Sequence, residues 1–343
     1  MRILVGMSGG VDSTFAAYKL RAEGHEVAGC ALVMHDYTDV SAAEASCKAL
    51  GITLYIINCR KRFEETVVSS FVSEYSRGRT PNPCVVCNSE VKFDCLLDFA
   101  LEQGFDAIAT GHYADVRRLS LPSGERYCVC DCADGNKNQT YMLWGLSQRV
   151  LAHLVLPLSD MTKEQVREKT RELGLVSWDR SDSQEICFIP DDDHAAFIES
   201  RIGKCPEGNF VDEEGRVLGR HRGIIGYTVG QRKGLGIALG ARAFISRIDP
   251  EKNEITLSFS AAESRDFTVS GVVLSGIEPP TEPTEYALTV KHRYHSPRIP
   301  ARVIFYPDGR ARVSLSEPAR SLTSGQSAVF YLDGCLVAGG FID

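Results

Sequence analysis

Two hydrophobic periods alternate along the first third of the chain. The uninterrupted apolar runs RILVG (2–6), VAGCALVM (27–34), TLYIIN (53–58) and AIAT (107–110) have the length and composition of buried strands. Between them, apolar positions recur at helical spacing over residues 13–23, 41–50, 63–75 and 88–103. Asn88 is the expected N-cap of the last helix, and Gly104 its expected stop. Alternation of helices with unbroken apolar strands predicts an α/β fold. The expected core is a doubly wound, mostly parallel sheet covered on both faces, with ligands at the carboxyl ends of the strands.

After about residue 200 the pattern changes. Runs such as FISRIDP, EITLSF, YALTVKHRY, ARVIFY, ARVSLS and SAVFYLDG alternate apolar with polar positions and are separated by Gly, Pro, Asn and Asp. This is strand-and-turn chemistry. The stretch EPPTEPTE (278–285) reads as a linker or domain edge. The expected organisation is an α/β domain over 1–200, a small β-rich domain over 201–270 and a second small β domain over 271–343.

Composition adds little until charge is located. With 43% hydrophobic and 24% charged residues among 343, the chain has an ordinary globular balance. It holds no apolar run long enough to span a membrane, and MRILVG reads as a first strand rather than a signal peptide. A cytoplasmic location is therefore expected, with most of the twelve cysteines as free thiols and a few held for metal or catalysis. The net charge of −7 argues against nucleic acid if it is spread evenly, but it is not. Residues 215–248 carry seven Lys/Arg and no carboxylate, and residues 286–306 carry four Lys/Arg, two His and no carboxylate. Such stretches suit a phosphate backbone; chance clustering on a solvated face is the plainer alternative.

The segment GMSGGVDS (6–13) lies between the first strand and the first helix. Adjacent glycines allow a tight turn and close approach to a ligand, and the helix N-terminus offers unpaired N–H groups to an anion. No lysine follows the glycines, so this is a phosphate cradle of another type than Walker A. A carboxylate beside a polyphosphate needs a cation between them, so Asp12 implies Mg2+. A glycine turn capped by Ser or Asp is the competing explanation.

SGGVDS resembles the pyrophosphate-loop motif of the ATP pyrophosphatases, which adenylate a carbonyl oxygen and release pyrophosphate. TPNPCVVCN (80–88), ATGHYA (109–114), KNQTYML (137–143), SDSQEICFI (181–189) and GYTVGQRKGLG (226–236) follow in order, ending with GQSAVFY (325–331). Together they resemble the tRNA 2-thiouridylase family across nearly the whole chain. The resemblance implies ATP-dependent replacement of the C2 oxygen of a wobble uridine by sulfur, and a β-barrel as the last domain, with both β domains binding tRNA.

The resemblance also assigns residues. Cys187 carries a persulfide, and Cys87 is the nucleophile that closes a transient disulfide with it. Gly6, Met7, Ser8, Gly9, Gly10, Val11, Asp12 and Ser13 contact ATP, as do Met34 and Gly111. Asn82, Pro83 and Cys84 surround the target base, which must leave its stack to be modified. His112, Lys137, Asn138, Gln139, Arg293, Tyr294 and Gln326 contact tRNA. Implied partners are tRNAs for Lys, Glu and Gln and a sulfur donor, either a relay protein or a cysteine desulfurase. A monomer is expected.

Two positions depart from the family pattern. Cys84 stands where many members carry Asp, and Asn138 where they carry Asp. A thiol titrating near 8.5 cannot replace a carboxylate titrating near 3.9 without a large shift. Cys84, Cys87 and Cys187 instead make a three-thiol set that suits three corners of a [4Fe–4S] cluster. Structural zinc wants four protein ligands, and these motifs offer three. CVCDC (128–132) has the spacing of same-face thiols on a strand, with a surface metal site as the alternative. Cys30, Cys47, Cys59, Cys95 and Cys335 are expected to be small buried hydrophobes. Two other functions compete. An amidating ATP pyrophosphatase needs a glutaminase domain or an amino-acid site, which is not found here. A non-catalytic tRNA-binding protein has no use for Asp12, Cys87 and Cys187.

Overall fold

The apolar runs of the first domain do form strands. In the computed structural model, which describes residues 1–175, 186–189, 191–237, 239–260 and 263–343, these are β1 (Arg2–Gly6), β2 (Glu26–Val33), β3 (Leu54–Asn58) and β4 (Ala107–Ala109). A hairpin, β5 (Asp115–Leu121) and β6 (Gly124–Cys130), follows, and then the short β7 (Leu154–Val155). The sheet order is β3-β2-β1-β4-β7, with every pair parallel. Successive side chains face opposite ways. Ile3 and Val5 therefore pack with Phe15 and Leu20 of helix Val11–Ala22, whereas Leu4 packs with Phe93, Leu96 and Leu97 of helix Phe93–Glu102. The sheet is covered on both faces, as the periodicity predicts. The order in which strands are added reverses between β1 and β4, which run parallel, and the loops leaving their carboxyl ends lie side by side there.

The helix expected over 88–103 starts earlier. Asn82 is its N-cap and Pro83 opens its first turn over Pro83–Cys87; the chain then passes through a π-turn, Asn88–Lys92, into Phe93–Glu102. Proline is suited to that first position because its missing N–H would have no helical partner. Asn88 is thus not a cap. Its amide donates to the Met142 carbonyl at 2.9 Å and its oxygen accepts from Lys92 Nζ at 2.9 Å. Residues 60–76 are broken in the same way, with a π-turn at Glu64–Val68.

The middle sheet comprises β8 (Gly208–Val211), β9 (Val217–His221), β10 (Phe244–Asp249) and β11 (Glu254–Ser258), in the order β10-β11-β8-β9. Its buried Phe210, Ile245 and Ile255 join one cluster with Phe63, Val67, Phe71 and Cys87 of the first domain. The middle domain is therefore packed directly behind the helix that carries Cys87.

The remaining strands are β12 (Glu263–Leu274), β13 (Thr284–Lys291), β14 (Ile299–Phe305), β15 (Ala311–Arg320), β16 (Ser327–Leu332) and β17 (Cys335–Ile342). They pair in the order β12-β15-β14-β13-β16-β17, and β12 pairs again with β17, closing a six-stranded antiparallel barrel. Val290, Val303, Phe305, Val313 and Phe330 fill it. Residues 278–283 of EPPTEPTE lie between β12 and β13 of this barrel and Thr284 opens β13, so the stretch is internal to the barrel rather than a domain edge.

The hairpin β5–β6 leaves the first domain to extend the barrel sheet, through the single residue pair Cys335–Cys130. Those two cysteines form a disulfide. This corrects the expectation that Cys335 is a buried free thiol. Cys128 lies beside the bridge, its sulfur 3.6 Å from that of Cys130, and both residues are fully buried, so the CVCDC run is not a surface metal site. No helix among the described residues is long and apolar enough to cross a membrane.

Candidate active site and tRNA interface

The 6–13 loop is held by its own hydroxyls. Ser8 and Ser13 place their Oγ atoms 3.2 Å apart, and Ser13 Oγ donates to the Gly10 carbonyl at 3.3 Å. Gly9 has φ +73°, and a Cβ there would lie 2.4 Å from the Ala42 backbone, so the turn requires glycine. Gly111 meets the loop from β4. A Cβ on it would come within 2.6 Å of the Asp12 backbone and 2.7 Å of Ser13 N. The close approach that excludes a side chain at Gly111 is thus to the loop itself.

Asp12 does not present an open carboxylate. Lys163 Nζ donates to both of its oxygens at 2.7 Å, and Tyr113 OH donates to Oδ1 at 2.8 Å. A divalent cation bound directly to Asp12 would have to sit against an ammonium group. The donor set does not fit the expected Mg2+ ligand.

The thiols converge below this loop. Cys87 is buried, and its Sγ donates to Met34 Sδ at 3.6 Å, just past the end of β2. Burial pushes the Cys87 thiol up to about 11; Lys92 opposes this, and the nearby Cys187 and Cys84 add to it. Cys187 is open to solvent on one side, yet enough protein surrounds it that its thiol is raised too, first by burial and then by Cys84, again with Lys92 opposing. Residues 84, 87 and 187 therefore lie within reach of one another's charge. Among the described residues, the thiol trio with all sulfurs within 4.8 Å of one another is Cys128, Cys130 and Cys335. No single-ion site is preformed on Cys84, Cys87 and Cys187, although three cysteines are the right donors for a cluster. Of the motif at 181–189, residues 181–185 lie outside the described residues.

Of the residues expected around the target base, Asn82 Nδ2 lies 3.7 Å from Met142 Sδ, Pro83 is buried and Cys84 is exposed. The His112 ring packs on Phe93 at 5.5 Å and shares a 2.8 Å hydrogen bond with Thr110 Oγ1. Burial, with Lys92 adding to it, holds His112 down to about 3, so the imidazole is neutral at neutral pH.

Apart from His112, most of the residues expected at tRNA lie where the barrel meets the other two domains, and several serve the protein itself. Asn138 donates to Asp131 at 2.7 Å and accepts from Thr140. Asp131 in turn takes two bonds from Arg298 of the barrel, at 2.6 and 2.7 Å. Gln139 Oε1 accepts from the backbone N–H of Tyr113. Arg293 donates to Ser321 O, Thr323 Oγ1 and Val229 O, joining barrel to middle domain. Gln326 Nε2 donates to Thr80 O. Tyr294 stacks edge-on against Tyr141 at 6.0 Å and feels the charge of Lys137, so the barrel and the 137–139 loop meet there.

The carboxylate-free stretch 215–248 is less basic in space than in sequence. Arg216 pairs with Asp212, Arg220 with Glu207 and Arg247 with Asp249, all partners from just outside it. Among the described residues, Arg222, Arg232, Lys233 and Arg242 make no ion pair. A cavity of about 620 Å³ lies between Arg232 and Arg242, lined also by Gly234 and Gly236.

Sequence reasoning missed Lys163, Tyr113, Asp134 and Lys92. Asp134 is buried, and its carboxylate accepts from the backbone N–H groups of Asn136, Lys137 and Lys163, linking the 137–139 loop to the helix Lys163–Glu172. A lysine opening a helix was the available signal for Lys163, because the helix dipole disfavours a cation there.

Three family models match consecutive parts of the chain: tRNA methyl transferase HUP domain over residues 1–191, tRNA methyl transferase PRC-barrel domain over 195–258, and aminomethyltransferase beta-barrel domain over 264–342. Curated relatives match from end to end. The tRNA-specific 2-thiouridylase MnmA 1 of Clostridium botulinum is 40% identical, over 100% of this chain and 99% of its own. The MnmA of Clostridium kluyveri is 41% identical over the same shares. That of Acetivibrio thermocellus is 42% identical, over 99% of this chain and 98% of its own.

Proposed function

Since the chain belongs to the tRNA-specific 2-thiouridylase family, we propose that it uses ATP to replace the C2 oxygen of a wobble uridine in tRNA by sulfur. Oxide is a poor leaving group, so the C2 oxygen is first adenylated and pyrophosphate leaves at the 6–13 loop. The terminal sulfur of a Cys187 persulfide attacks C2; the C–S bond forms as AMP departs. The Cys87 thiolate then attacks Cys187 Sγ, breaking the S–S bond. The products are 2-thiouridine and a Cys87–Cys187 disulfide, which the sulfur donor or a thiol reductant must reduce.

The observation that carries this reading is electrostatic. Cys87 and Cys187, far apart in sequence, feel each other's charge in one site next to Met34. Lys92 favours both thiolates. Asn82, Pro83 and Cys84 form the base pocket, and Lys137, Tyr294 and the unpaired arginines around the 620 Å³ cavity supply tRNA contacts. The domains implied are a catalytic domain over 1–200 and tRNA-binding β domains over 201–270 and 271–343. Magnesium enters with the nucleotide substrate. The partners are tRNAs for Lys, Glu and Gln and a sulfur-donor protein, and the enzyme works as a cytoplasmic monomer.

A second reading follows from the mutual proximity of three thiols. A [4Fe–4S] cluster on Cys84, Cys87 and Cys187 would supply sulfur as iron-bound hydrosulfide. Mass analysis of tRNA from a deletion strain tests the reaction, since 2-thiouridine should disappear. Iron and sulfide analysis of anaerobically purified protein separates the routes: colourless, iron-free, active protein supports the persulfide, and iron-dependent activity overturns it.

A further inference from the structure

Two thiols outside the site described above touch each other behind the end of β3. Cys59 follows that strand and is the N-cap of the helix Arg60–Phe63; its N–H donates to Val33 O at 2.8 Å, which fixes it against β2. It is 4% exposed. Cys95 stands on the helix Phe93–Glu102 and packs against the cluster that contains Cys59, but it is only half-buried. The two thiols share a hydrogen bond.

Arg62 completes the arrangement. Its Nη1 lies 3.9 Å from Cys95 Sγ, and its Nη2 donates to Asp94 Oδ2 at 2.8 Å. Asp98, one turn further along the same helix, is 4.0 Å from Nη1. Asp94 and Asp98 therefore hold the guanidinium beside Cys95. The hydrogen bond makes the two thiols unequal. Donation from Cys59 lowers the Cys95 thiol; burial opposes this, and Arg62 lowers it further. The same bond, and then burial, push the Cys59 thiol up. Cys95 is thus the sulfur that ionises and that solvent reaches, while Cys59 keeps its proton behind it. A half-exposed thiol whose anion is favoured, in contact with a buried second thiol, suits two-electron oxidation.

We propose that Cys59 and Cys95 form a peroxide-reactive dithiol, with Cys95 as the attacking sulfur, Arg62 as the residue that holds its anion and Cys59 as the resolving thiol. The Cys95 sulfur attacks a hydroperoxide and the O–O bond breaks, leaving a sulfenic acid on Cys95 and releasing an alcohol, or water from hydrogen peroxide. The Cys59 sulfur then attacks Cys95; the S–O bond breaks, water leaves with the Cys59 proton, and a Cys59–Cys95 disulfide forms. Two electrons pass from the dithiol to the peroxide. This chemistry is separate from sulfur transfer to tRNA. Cys87 lies eight residues before Cys95, about 12 Å along the axis at about 1.5 Å per residue, too far for the two sulfurs to bond. The bridge instead ties the end of β3 to the helical run that carries Cys87.

The test treats the reduced full-length protein with limiting hydrogen peroxide at pH 7, blocks the remaining thiols with iodoacetamide and maps the unreduced peptides by mass. The wild type should yield a linked Cys59–Cys95 peptide. Cys59→Ala should instead accumulate sulfenic acid on Cys95, trapped by dimedone. Cys95→Ser, at a half-buried position, should melt near the wild type and give neither product. Without peroxide, iodoacetamide at pH 7 should label Cys95 faster than Cys87. Arg62→Met should slow that labelling severalfold and move its pH profile upward, a change that loss of packing alone would not produce. Oxidation of other thiols while Cys95 stays unmodified would overturn the proposal. So would a Cys95 disulfide with a thiol other than Cys59, or a labelling profile in folded Arg62→Met equal to that of the wild type. Should Cys59→Ala fail to fold, the wild-type link and its loss in Cys95→Ser decide the matter.

Discussion

The side-chain amide of Gln326, the residue before β16, donates to the carbonyl of Thr80 at 2.8 Å, while Thr80 N–H donates to Ser324 O at 2.9 Å. A Cβ on the intervening Gly325 would lie 3.1 Å from Thr80 N and O. The barrel thus grips the chain two residues before Asn82, and through it the segment proposed to surround the target base.

Gln326→Ala is therefore expected to cost about 0.5–1.5 kcal/mol, the net worth of one hydrogen bond. Its larger effect should fall on catalysis, with a lower kcat for thiolation while the KM for ATP stays constant. Steady-state kinetics with unmodified tRNA and a thermal melt check this. A change in tRNA affinity alone, with kcat intact, would mean that Gln326 acts only as an RNA contact.

Gly111→Ala should cripple the nucleotide loop. The added methyl would sit 2.6 Å from the Asp12 backbone, closer than real contacts allow, so the loop or β4 must shift. We expect a loss of about 1–3 kcal/mol, the usual cost of overpacking, together with weaker ATP binding. ATP affinity equal to wild type by calorimetry would show that the two loops separate freely.

The thiols should divide the reaction. Cys187→Ser should abolish thiolation yet still yield adenylated tRNA, detectable as transfer of label from α-labelled ATP. Cys87→Ser should likewise stop turnover, because no disulfide can close. Cys84→Ser should keep activity under the persulfide route, and should lose iron and activity together if a cluster is present.

Cys87 should be slow to react at neutral pH. With its thiol at about 11, raised by burial, the thiolate fraction grows about tenfold per pH unit between pH 7 and 10. Alkylation of Cys87 by iodoacetamide, followed by peptide mass mapping, should show that slope, and Lys92→Met should displace it to higher pH. A plateau near pH 8.5 would contradict the shift. The folded-state value is raised above that of an ordinary thiol, so the stability this group contributes is present below the ordinary thiol range and lost as pH rises toward 11.

The Cys130–Cys335 bridge closes a sequence separation of 205 residues between the hairpin β5–β6 and the barrel. By loop entropy its reduction should cost about 5 kcal/mol at most. Dithiothreitol should lower the melting temperature of the wild type and leave that of Cys335→Ser unaffected. If both proteins respond alike, the bridge does not form in solution.

Hydrophobic period alone specified the parallel sheet, the helices that cover it and the change to β structure after residue 200, because period is a local property of strands and helices. The motifs around Ser8–Ser13, Cys87 and Cys187 pointed to nucleotide and sulfur chemistry for a similar reason: each is a short run whose residue types suit one task. Local signals failed where two adjacent choices competed. Asn82 and Asn88 are both good caps, and Pro83, which needs the first helical position, decided between them. They also failed wherever partners are distant. Lys163 meets Asp12, Cys335 meets Cys130, Arg298 meets Asp131 and Gln326 meets Thr80 only because the sheet order, the barrel closure and the straying hairpin bring them together. An ion pair or a disulfide needs two groups within a few ångströms in three dimensions, and neither residue carries a mark of the other in its own neighbourhood. The 6–13 loop carries no basic residue of its own, and the ammonium that meets Asp12 comes from another helix.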